Sequence, residues 1–341
     1  MIIVFGAVGF IGTYVVDALA ANDISEVLAV DIDRIGKTYY KKQKVSFVRM
    51  DITKQKDFER LPSKNVSCVI NLACLQPDNV SLAAFDPVNY IMVNTIGPLN
   101  ILKYCVANNI PKVLHTISHR SIRGLWRPDR VITEDDMRAI EYESDFSIYS
   151  IAESATMDCI HYYRKKCRIR GIIFRLPSVF GYGPHLEGYK NGKYHKTGFQ
   201  IFIENAIEGK PLEVWGDRNR GRDIVYVKDV VSAILLAIGN TSADGMYNIS
   251  SGRLLTIDEE AKEIVKVFSS KSTPSPIIYR PEKTNSIEPC LYNIDKAKKE
   301  FGWSPKYSFE DMLIDYKSEM YSGRFKFLLD KRRIMMKGEL Q

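Results

Sequence analysis

A glycine-rich turn near the amino terminus has the residue types and spacing needed to hold a phosphate group. The apolar run Ile2–Phe5 leads into residues 6–12 (Gly-Ala-Val-Gly-Phe-Ile-Gly), and an amphipathic stretch follows over residues 13–21. A strand that passes into a helix over a bound pyrophosphate needs glycine where the turn is tight and where backbone approaches phosphate. The helix N-terminus adds free N–H groups and a positive dipole end. The pattern predicts a dinucleotide site contacted by Gly6, Val8, Gly9, Phe10, Ile11 and Gly12.

An acidic residue at the end of the second strand-like run suggests which dinucleotide binds. Residues 26–31 end at Asp31, about twenty positions beyond the turn, where a carboxylate can accept hydrogen bonds from the adenosine ribose hydroxyls. A carboxylate there repels a 2′-phosphate, so NAD is predicted over NADP. Asp33 is the adjacent alternative for this contact, and Arg34 leaves NADP open as a second possibility.

Composition excludes several classes of protein. The chain has 341 residues, of which 45% are hydrophobic and 26% charged, enough for one large globular unit or two interlocked lobes. No apolar run approaches the roughly 20 residues of a membrane span, and the first strand starts at once, so we expect no membrane contact, no signal peptide and a cytoplasmic location. The six cysteines lack metal-type spacing, and the net charge of +7 is spread without aromatic interleaving. We therefore expect neither a metal site nor nucleic-acid binding.

Apolar runs and helical patterns alternate through the first half of the chain. Strand-like runs at 2–5, 26–31, 45–49, 67–72, 112–117 and 171–176 alternate with helical patterns near 11–21, 88–108 and 149–167. Such alternation predicts the α/β class, a Rossmann-type doubly wound parallel sheet with helices on both faces.

From residue 177 onward the pattern changes to loops, short strands and helices near 199–208, 257–269, 293–301 and 308–320, which predicts a smaller interwoven α+β lobe for substrate. Residues 223–250 read as a strand entering a helix that returns to the first lobe. The predicted divisions are a cofactor domain at 1–176 joined by 223–250, a substrate lobe at 177–222 and 251–325, and a basic C-terminal tail at 326–341. The ligand cleft is expected at the carboxyl ends of the strands.

Further motifs follow the glycine turn in a fixed order. They are Asp51-Ile52, 71–74 (Asn-Leu-Ala-Cys), Asp86-Pro87, 94–100, 133–135 (Thr-Glu-Asp), 175–184, 222–229, 246–252 and 296–305. Together they resemble the extended short-chain dehydrogenase/reductase family, the NAD-dependent nucleotide-sugar epimerases and dehydratases, over roughly residues 2 to 320.

The resemblance implies contacts for both ligands. On the cofactor side it implies Asp51, Ile52, Leu72, Ala73, Cys74, Asn94 and Tyr149. For a nucleotide-diphosphate sugar it implies phosphate contacts from Arg222 and Arg280, each of which has a surface ion pair as the alternative role. Ser178 stands where the family usually has a substrate-contacting asparagine. The helices near 91–108 and 149–166 resemble the pair that joins two subunits in this family, so a homodimer is expected.

The catalytic motif departs from the family pattern. The family uses Ser or Thr, Tyr and Lys, and Tyr149 opens the expected helix, but Glu153 occupies the lysine position. A lysine one helical turn away lowers the pKa of the tyrosine, whereas a carboxylate raises it above its usual value of about 10. Glu153 can orient a neighbour, bind the ribose hydroxyls, or be a helix-surface residue without a catalytic part.

The position of the catalytic hydroxyl is also ambiguous. Counting back from Gly124 places His119 where the family has Ser or Thr, and Ser118 is one residue away. Both are candidates, because an imidazole titrates near pH 6.5 and can itself act as an acid or a base. Arg120 and Arg123 are candidates for the missing positive charge, or for solvent and phosphate contacts.

The sequence therefore predicts NAD-dependent modification of a nucleotide-activated sugar, most simply epimerisation through a transient keto-sugar. Tyr149 would be the base and Ser118 or His119 the partner of the reacting oxygen. The alternatives are a one-way dehydrogenase or dehydratase, and a catalytically impaired protein that still binds NAD or a nucleotide sugar.

Overall fold

A computed structural model describes residues 1–22, 25–41, 43, 45–79, 84–144, 146–190, 193–285 and 287–336. Strands form the central layer of the protein. The strands are β1 (Ile2–Phe5), β2 (Val27–Asp31), β3 (Ser46–Arg49), β4 (Cys68–Asn71), β5 (Lys112–Ser118), β6 (Val131–Ile132), β7 (Arg170–Leu176), β8 (Ser178–Phe180), β9 (Glu187–Lys190), β10 (Lys193–Lys196), β11 (Leu212–Trp215), β12 (Gly221–Arg222), β13 (Ile224–Tyr226), β14 (Gly245–Asn248), β15 (Leu255–Thr256), β16 (Ile277–Arg280) and β17 (Leu291–Tyr292).

Seven of these strands form one parallel sheet in the order β14-β7-β5-β4-β1-β2-β3. Alternate side chains of β1 enter opposite cores, with Ile2 and Val4 on one face and Ile3 and Phe5 on the other. A sheet buried on both faces requires such continuously apolar strands. The predicted α/β class and doubly wound parallel sheet are confirmed.

Helices cover both faces of this sheet and build the remaining structure. They are α1 (Phe10–Ala21), α2 (Ile35–Lys41), α3 (Pro87–Ile91), α4 (Gly97–Ala107), α5 (Phe146–Cys167), α6 (Gly198–Ile207), α7 (Val227–Gly239), α8 (Ile257–Phe268), α9 (Asp295–Phe301), α10 (Phe309–Ser322) and α11 (Lys326–Met336). Short 3₁₀ segments lie at Gln55–Arg60, Pro77–Asn79 and His119–Leu125. Within the described ranges, no helix is long and apolar enough to cross a membrane.

The helix predicted near 88–108 has a different internal geometry. It consists of α3 and α4 joined by a π-helical turn at Met92–Ile96. A π turn inserts an extra residue and changes the direction of the side chains it carries, which hydrophobic periodicity does not reveal. Asn94, one of the predicted cofactor residues, lies in this turn.

The segment predicted to return to the first lobe contacts the central sheet. Strand β13 pairs with β8 in parallel, α7 packs against α1, and β14 extends the sheet beyond β7. Smaller two-stranded pairs, β11 with β16 and β12 with β15, lie outside the central sheet. The exact division into two lobes remains a prediction.

The basic tail predicted at 326–341 is helical over the part that the structure describes. Leu328 and Leu329 of α11 are buried, as is Phe325 just before it. Arg324 forms ion pairs with Asp17 of α1 and Glu319 of α10. These apolar and ionic contacts attach the segment to the cofactor-binding half, and residues 337–341 lie outside the described residues.

Candidate active site

The turn between β1 and α1 is so tightly packed that two of its positions have room only for glycine. Gly6 has a φ of +75°, and a Cβ added there would lie 2.6 Å from the Ala73 nitrogen. At Gly12 the added atom would lie 2.1 Å from the Gly6 carbonyl oxygen. The α1 N-terminus has no side-chain cap. The first-turn N–H groups therefore remain available to an anion, as the predicted pyrophosphate contact requires.

The two candidate acids after β2 have different partners. Asp31 Oδ2 accepts a hydrogen bond from Val8 N in the glycine turn at 2.9 Å. Asp33 instead accepts from Ile35 N at the start of α2, at 2.9 Å. Burial raises the pKa of Asp31, and the N–H groups of Asp33 and Val8 oppose that effect. Asp31 is the acid that lies against the glycine turn.

The other predicted cofactor residues lie after neighbouring strands of the sheet. Asp51, after β3, accepts from Thr53 N at 3.0 Å, and Ile52 is buried. Asn94 exchanges two hydrogen bonds with the Leu75 backbone, accepting from its nitrogen at 2.7 Å and donating to its oxygen at 2.8 Å. The π turn thus fixes the segment of Leu72, Ala73 and Cys74 that follows β4.

Tyr149, Cys74 and Glu153 form a buried group at the carboxyl ends of β4 and β5. The Cys74 sulfur lies 3.8 Å from the Tyr149 hydroxyl and 3.7 Å from Glu153 Oε1. Glu153 Oε2 accepts a hydrogen bond from Ser118 N at 2.9 Å. Tyr149 and Glu153 are each only 3% exposed, so Glu153 is not a helix-surface residue. Its carboxylate contacts the backbone of Ser118 and not the His119 ring.

The electrostatics of this group follow chiefly from burial. Desolvation raises the pKa of Glu153 to about 7, even though interactions with Ser118 N–H, Tyr149 and Cys74 lower it. Burial, together with Cys74 and Glu153, raises the pKa of Tyr149 well above its usual value. Tyr149 is therefore a neutral phenol at pH 7, whereas Glu153 is divided between its protonated and ionised forms.

Ser118 and His119 face different surroundings. Ser118 Oγ accepts from Arg120 N at 3.2 Å, which leaves its own proton available to a ligand. The His119 ring lies 2.8 Å, through Nδ1, from the Tyr292 hydroxyl and packs against Trp126. Burial and three surrounding arginines hold the pKa of His119 well below 6.5. The imidazole is therefore neutral and packs against Tyr292 and Trp126.

The predicted substrate residues lie on other strands. Arg222 of β12 forms an ion pair with the buried Glu260 at 3.2 Å, and its guanidinium lies over the Phe180 ring of β8. Ser178 begins β8, in register with Ile224. Arg280 of β16 belongs to an exposed ion-pair group with Glu213, at 3.4 Å.

Two features of the site were missed from the sequence. The contact of Cys74 with both Tyr149 and Glu153 depends on the spatial meeting of β4 and α5, and its only signal is a cysteine in a turn beside the cofactor. The aromatic surroundings of Arg120 carry no signal in the local sequence. No group of three His, Cys, Asp or Glu side chains in the part of the chain described is arranged to hold a metal ion.

The raised pKa of Glu153 predicts how stability depends on pH. Between about pH 4.5 and 7 the folded state keeps a proton on Glu153 that the unfolded state has released, so the free energy of unfolding falls as pH rises. The free energy of unfolding is measured by urea denaturation of the native protein and of Glu153→Gln at matched cofactor content. The difference between the two values should fall as pH rises, with a slope of at most about 1.4 kcal/mol per pH unit. Asp158→Asn, which removes an exposed carboxylate of the same helix that pairs with Arg138, is the control variant. A difference that stays constant over this range would contradict the assignment.

Comparison with known proteins identifies the family of this chain. Residues 2–250 match the NAD dependent epimerase/dehydratase family. A putative UDP-glucose 4-epimerase of Methanocaldococcus jannaschii is 26% identical over 91% of this chain and 95% of its own length. UDP-glucuronic acid decarboxylase 3 of Arabidopsis thaliana is 26% identical over 92% of this chain and 86% of its own length.

A solved structure extends the likeness to three dimensions. The UDP-glucose 4-epimerase of Thermotoga maritima, determined with UDP-glucose, superposes with a TM-score of 0.76 at 26% identity, covering 94% of this chain and 99% of that one. The predicted cofactor, NAD, agrees with the family description and with the glycine turn that fits it. The chain belongs to the NAD dependent epimerase/dehydratase family.

Proposed function

We propose that this protein modifies a nucleotide-activated sugar by reversible, NAD-dependent hydride transfer, most simply as an epimerase acting through a transient keto-sugar. The observation that carries the proposal is the buried Tyr149, Cys74 and Glu153 group beside an intact glycine turn. The named relatives, two UDP-glucose 4-epimerases and a UDP-glucuronic acid decarboxylase, support this substrate class.

The cofactor would be held along the carboxyl edge of the sheet. The α1 N-terminus would receive the pyrophosphate, Asp31 the adenosine ribose, and the segment after β4 the nicotinamide end. When bound, NAD supplies a hydride acceptor and donor for a sugar carbon. The chain itself must then supply the proton chemistry at the sugar oxygen.

Glu153 gives that proton chemistry a route without a tyrosinate. The Tyr149 hydroxyl would take the proton of the sugar hydroxyl while its own proton passes to the Glu153 carboxylate, and the return step would reverse both transfers. A general base works best when its pKa is near the working pH, and the pKa of Glu153 is about 7. In this proposal the Glu153 carboxylate assists Tyr149 by accepting its proton. The lysine of the family instead assists the tyrosine through its positive charge.

Ser118 is the better candidate for the partner of the reacting oxygen. Its backbone N–H is fixed by Glu153, and its hydroxyl proton is not used within the described contacts. His119 remains a candidate from the sequence, but its hydrogen bond to Tyr292 and its neutral ring favour a packing role. Arg222 and Arg280 would hold the diphosphate, and Ser178 would lie near the sugar.

Two other functions remain as alternatives. A one-way dehydrogenase or dehydratase would use the same cofactor site, although residues 118–120 (Ser-His-Arg) lack the acid and base pair that dehydration needs. A catalytically impaired binding protein is favoured by one observation, the raised pKa of Tyr149 in the absence of the family lysine.

Substitution of Glu153 distinguishes two hypotheses, that Glu153 is a catalytic base and that its presence marks activity lost with the lysine. Purified protein with bound cofactor is mixed with UDP-, GDP-, CDP- and dTDP-sugars, and product and the reduced-nicotinamide band are followed. Both Glu153→Gln and Glu153→Lys should lower turnover by about 10²- to 10⁴-fold, the usual contribution of a general acid or base. Asp158→Asn serves as the control. Higher turnover in Glu153→Lys would show that Glu153 marks a loss, and no reaction with any donor despite NAD binding would exclude the enzyme for that panel.

We also propose a homodimer built on α4 and α5. Both helices carry apolar side chains open to solvent in the single chain, including Val106, Ile151 and Tyr162, and burying such groups favours association. Light scattering coupled to gel filtration should give twice the mass of 38.9 kDa. A second measurement on Ile151→Glu should give a larger share of monomer, and a native monomer at micromolar concentration would contradict the proposal.

A further inference from the structure

Arg120 differs from Arg123, the other arginine near this group, in its contacts with carboxylates. Arg123 donates to Glu288 through Nε at 2.8 Å and also pairs with Glu141 at 3.1 Å. No carboxylate or carbonyl of the described residues accepts a hydrogen bond from the Arg120 guanidinium, although that side chain is only partly exposed. Among the described residues, the Arg120 guanidinium therefore has no acceptor within hydrogen-bond distance, although Glu288 and Asp78 act on its charge from farther away.

Two aromatic rings hold this guanidinium in place. Its central carbon lies 4.0 Å from the ring centroid of Phe146 and 5.8 Å from that of Trp126. Stacking on aromatic faces fixes the plane of a guanidinium and leaves the N–H groups at its edge free to bind a ligand. An arginine placed this way is ordered before any ligand arrives, which lowers the entropic loss on binding.

Arg120, in the 3₁₀ segment after β5, lies against the first turn of α5, which carries Tyr149. Phe146, on which it stacks, precedes Tyr149 by about one helical turn, and the two rings are 6.2 Å apart. Glu153 follows Tyr149 by about one turn, where it contacts Cys74 and Ser118. Phe146, Tyr149 and Glu153 therefore follow one another over the first two turns of α5, with Arg120 beside the first of them and Cys74 beside the last.

Arg120 is close enough to Tyr149 for their charges to interact, yet burial, Cys74 and Glu153 raise the pKa of Tyr149 well above its usual value. Burial and the neighbouring Arg123 lower the pKa of Arg120, and Glu288, Asp78 and Tyr149 act in the opposite direction. The guanidinium remains charged at pH 7.

We infer that Arg120 binds an anionic substituent on the sugar itself, a carboxylate, so that the preferred substrate is a nucleotide sugar of the uronic acid type. The inference rests on the proposed function and adds the substrate class to it. The planar fork of a guanidinium offers two parallel donors that match a carboxylate, and in the proposed function Arg222 contacts the diphosphate instead. A neutral sugar would leave the Arg120 donors unpaired.

Binding measurements on matched pairs of ligands test this inference. The NAD-loaded protein is titrated calorimetrically with UDP-glucose, UDP-glucuronate and UDP, and with GDP-mannose and GDP-mannuronate. The native protein should bind the acidic member of one pair more tightly than the neutral member. Arg120→Gln should weaken the acidic member by about 10- to 150-fold, the range for a hydrogen bond to a charged group, and change the neutral sugar and UDP by less than about threefold.

Control variants separate the role of Arg120 from folding. Arg127→Gln removes an exposed arginine of the same segment and should leave every affinity unchanged. Arg120→Lys keeps the charge without the planar fork and should recover only part of the loss. NAD affinity and thermal midpoint should be the same in all variants.

Several results would overturn the inference. Equal affinity of the native protein for both members of each pair would do so while leaving the proposed function intact. Equal weakening of UDP, neutral and acidic ligands in Arg120→Gln would assign Arg120 to the diphosphate site. Failure of the native protein to bind any of these ligands would overturn the proposed function as well.

Discussion

The close approach of two backbone turns at the carboxyl edge of the sheet is the constraint on which the site depends. Strands β1 and β4 are neighbours in register, Phe5 beside Asn71, and the turns that follow them meet where Gly6 has no room for a Cβ. One turn leads into the helix whose N-terminus can receive a pyrophosphate, and the other carries Cys74. The predicted pyrophosphate contact and the proposed catalytic group would therefore be held by the same pair of strands.

Burial determines the chemistry that this arrangement supports. A lysine beside a buried tyrosine lowers the pKa of that tyrosine by charge, and a carboxylate in the same place raises it. In this chain, burial also raises the pKa of the carboxyl of Glu153, to about 7. In the proposed function, Glu153 at the lysine position would give a neutral tyrosine next to a base that can change protonation at neutral pH, in place of an activated tyrosinate. Cofactor binding and proton transfer are separate properties, because the glycine turn is unchanged by this exchange.

The parts of the structure set by local pattern could be predicted from the sequence. The apolar runs predicted six strands of the central sheet to within a residue or so of their ends, and the glycine turn and Asp31 were placed correctly because each depends on a short strand-turn-helix unit. The π turn at Asn94 could not be predicted, since one inserted residue hardly alters helical periodicity. The helical α11 was expected as a tail because its many basic residues masked the apolar face that contains Leu328.

Contacts between distant parts of the chain explain the remaining differences. Ser118 and His119 are adjacent, and only the fold shows that one meets Glu153 and the other meets Tyr292. Arg120 and Arg123 look equivalent in the sequence, but Glu288, 165 residues away from Arg123, pairs with it and leaves Arg120 to the aromatic rings. No local pattern carries such information.

The pH dependence of kcat/KM is the most direct test of Glu153 as the proton acceptor. With a nucleotide sugar that the native protein turns over, kcat/KM should rise with pH through a transition near 7, because the ionised carboxylate is the active form. In Glu153→Gln the remaining activity should be low and should lack that transition. A native profile without a step near pH 7, or the same step in Glu153→Gln, would contradict the account.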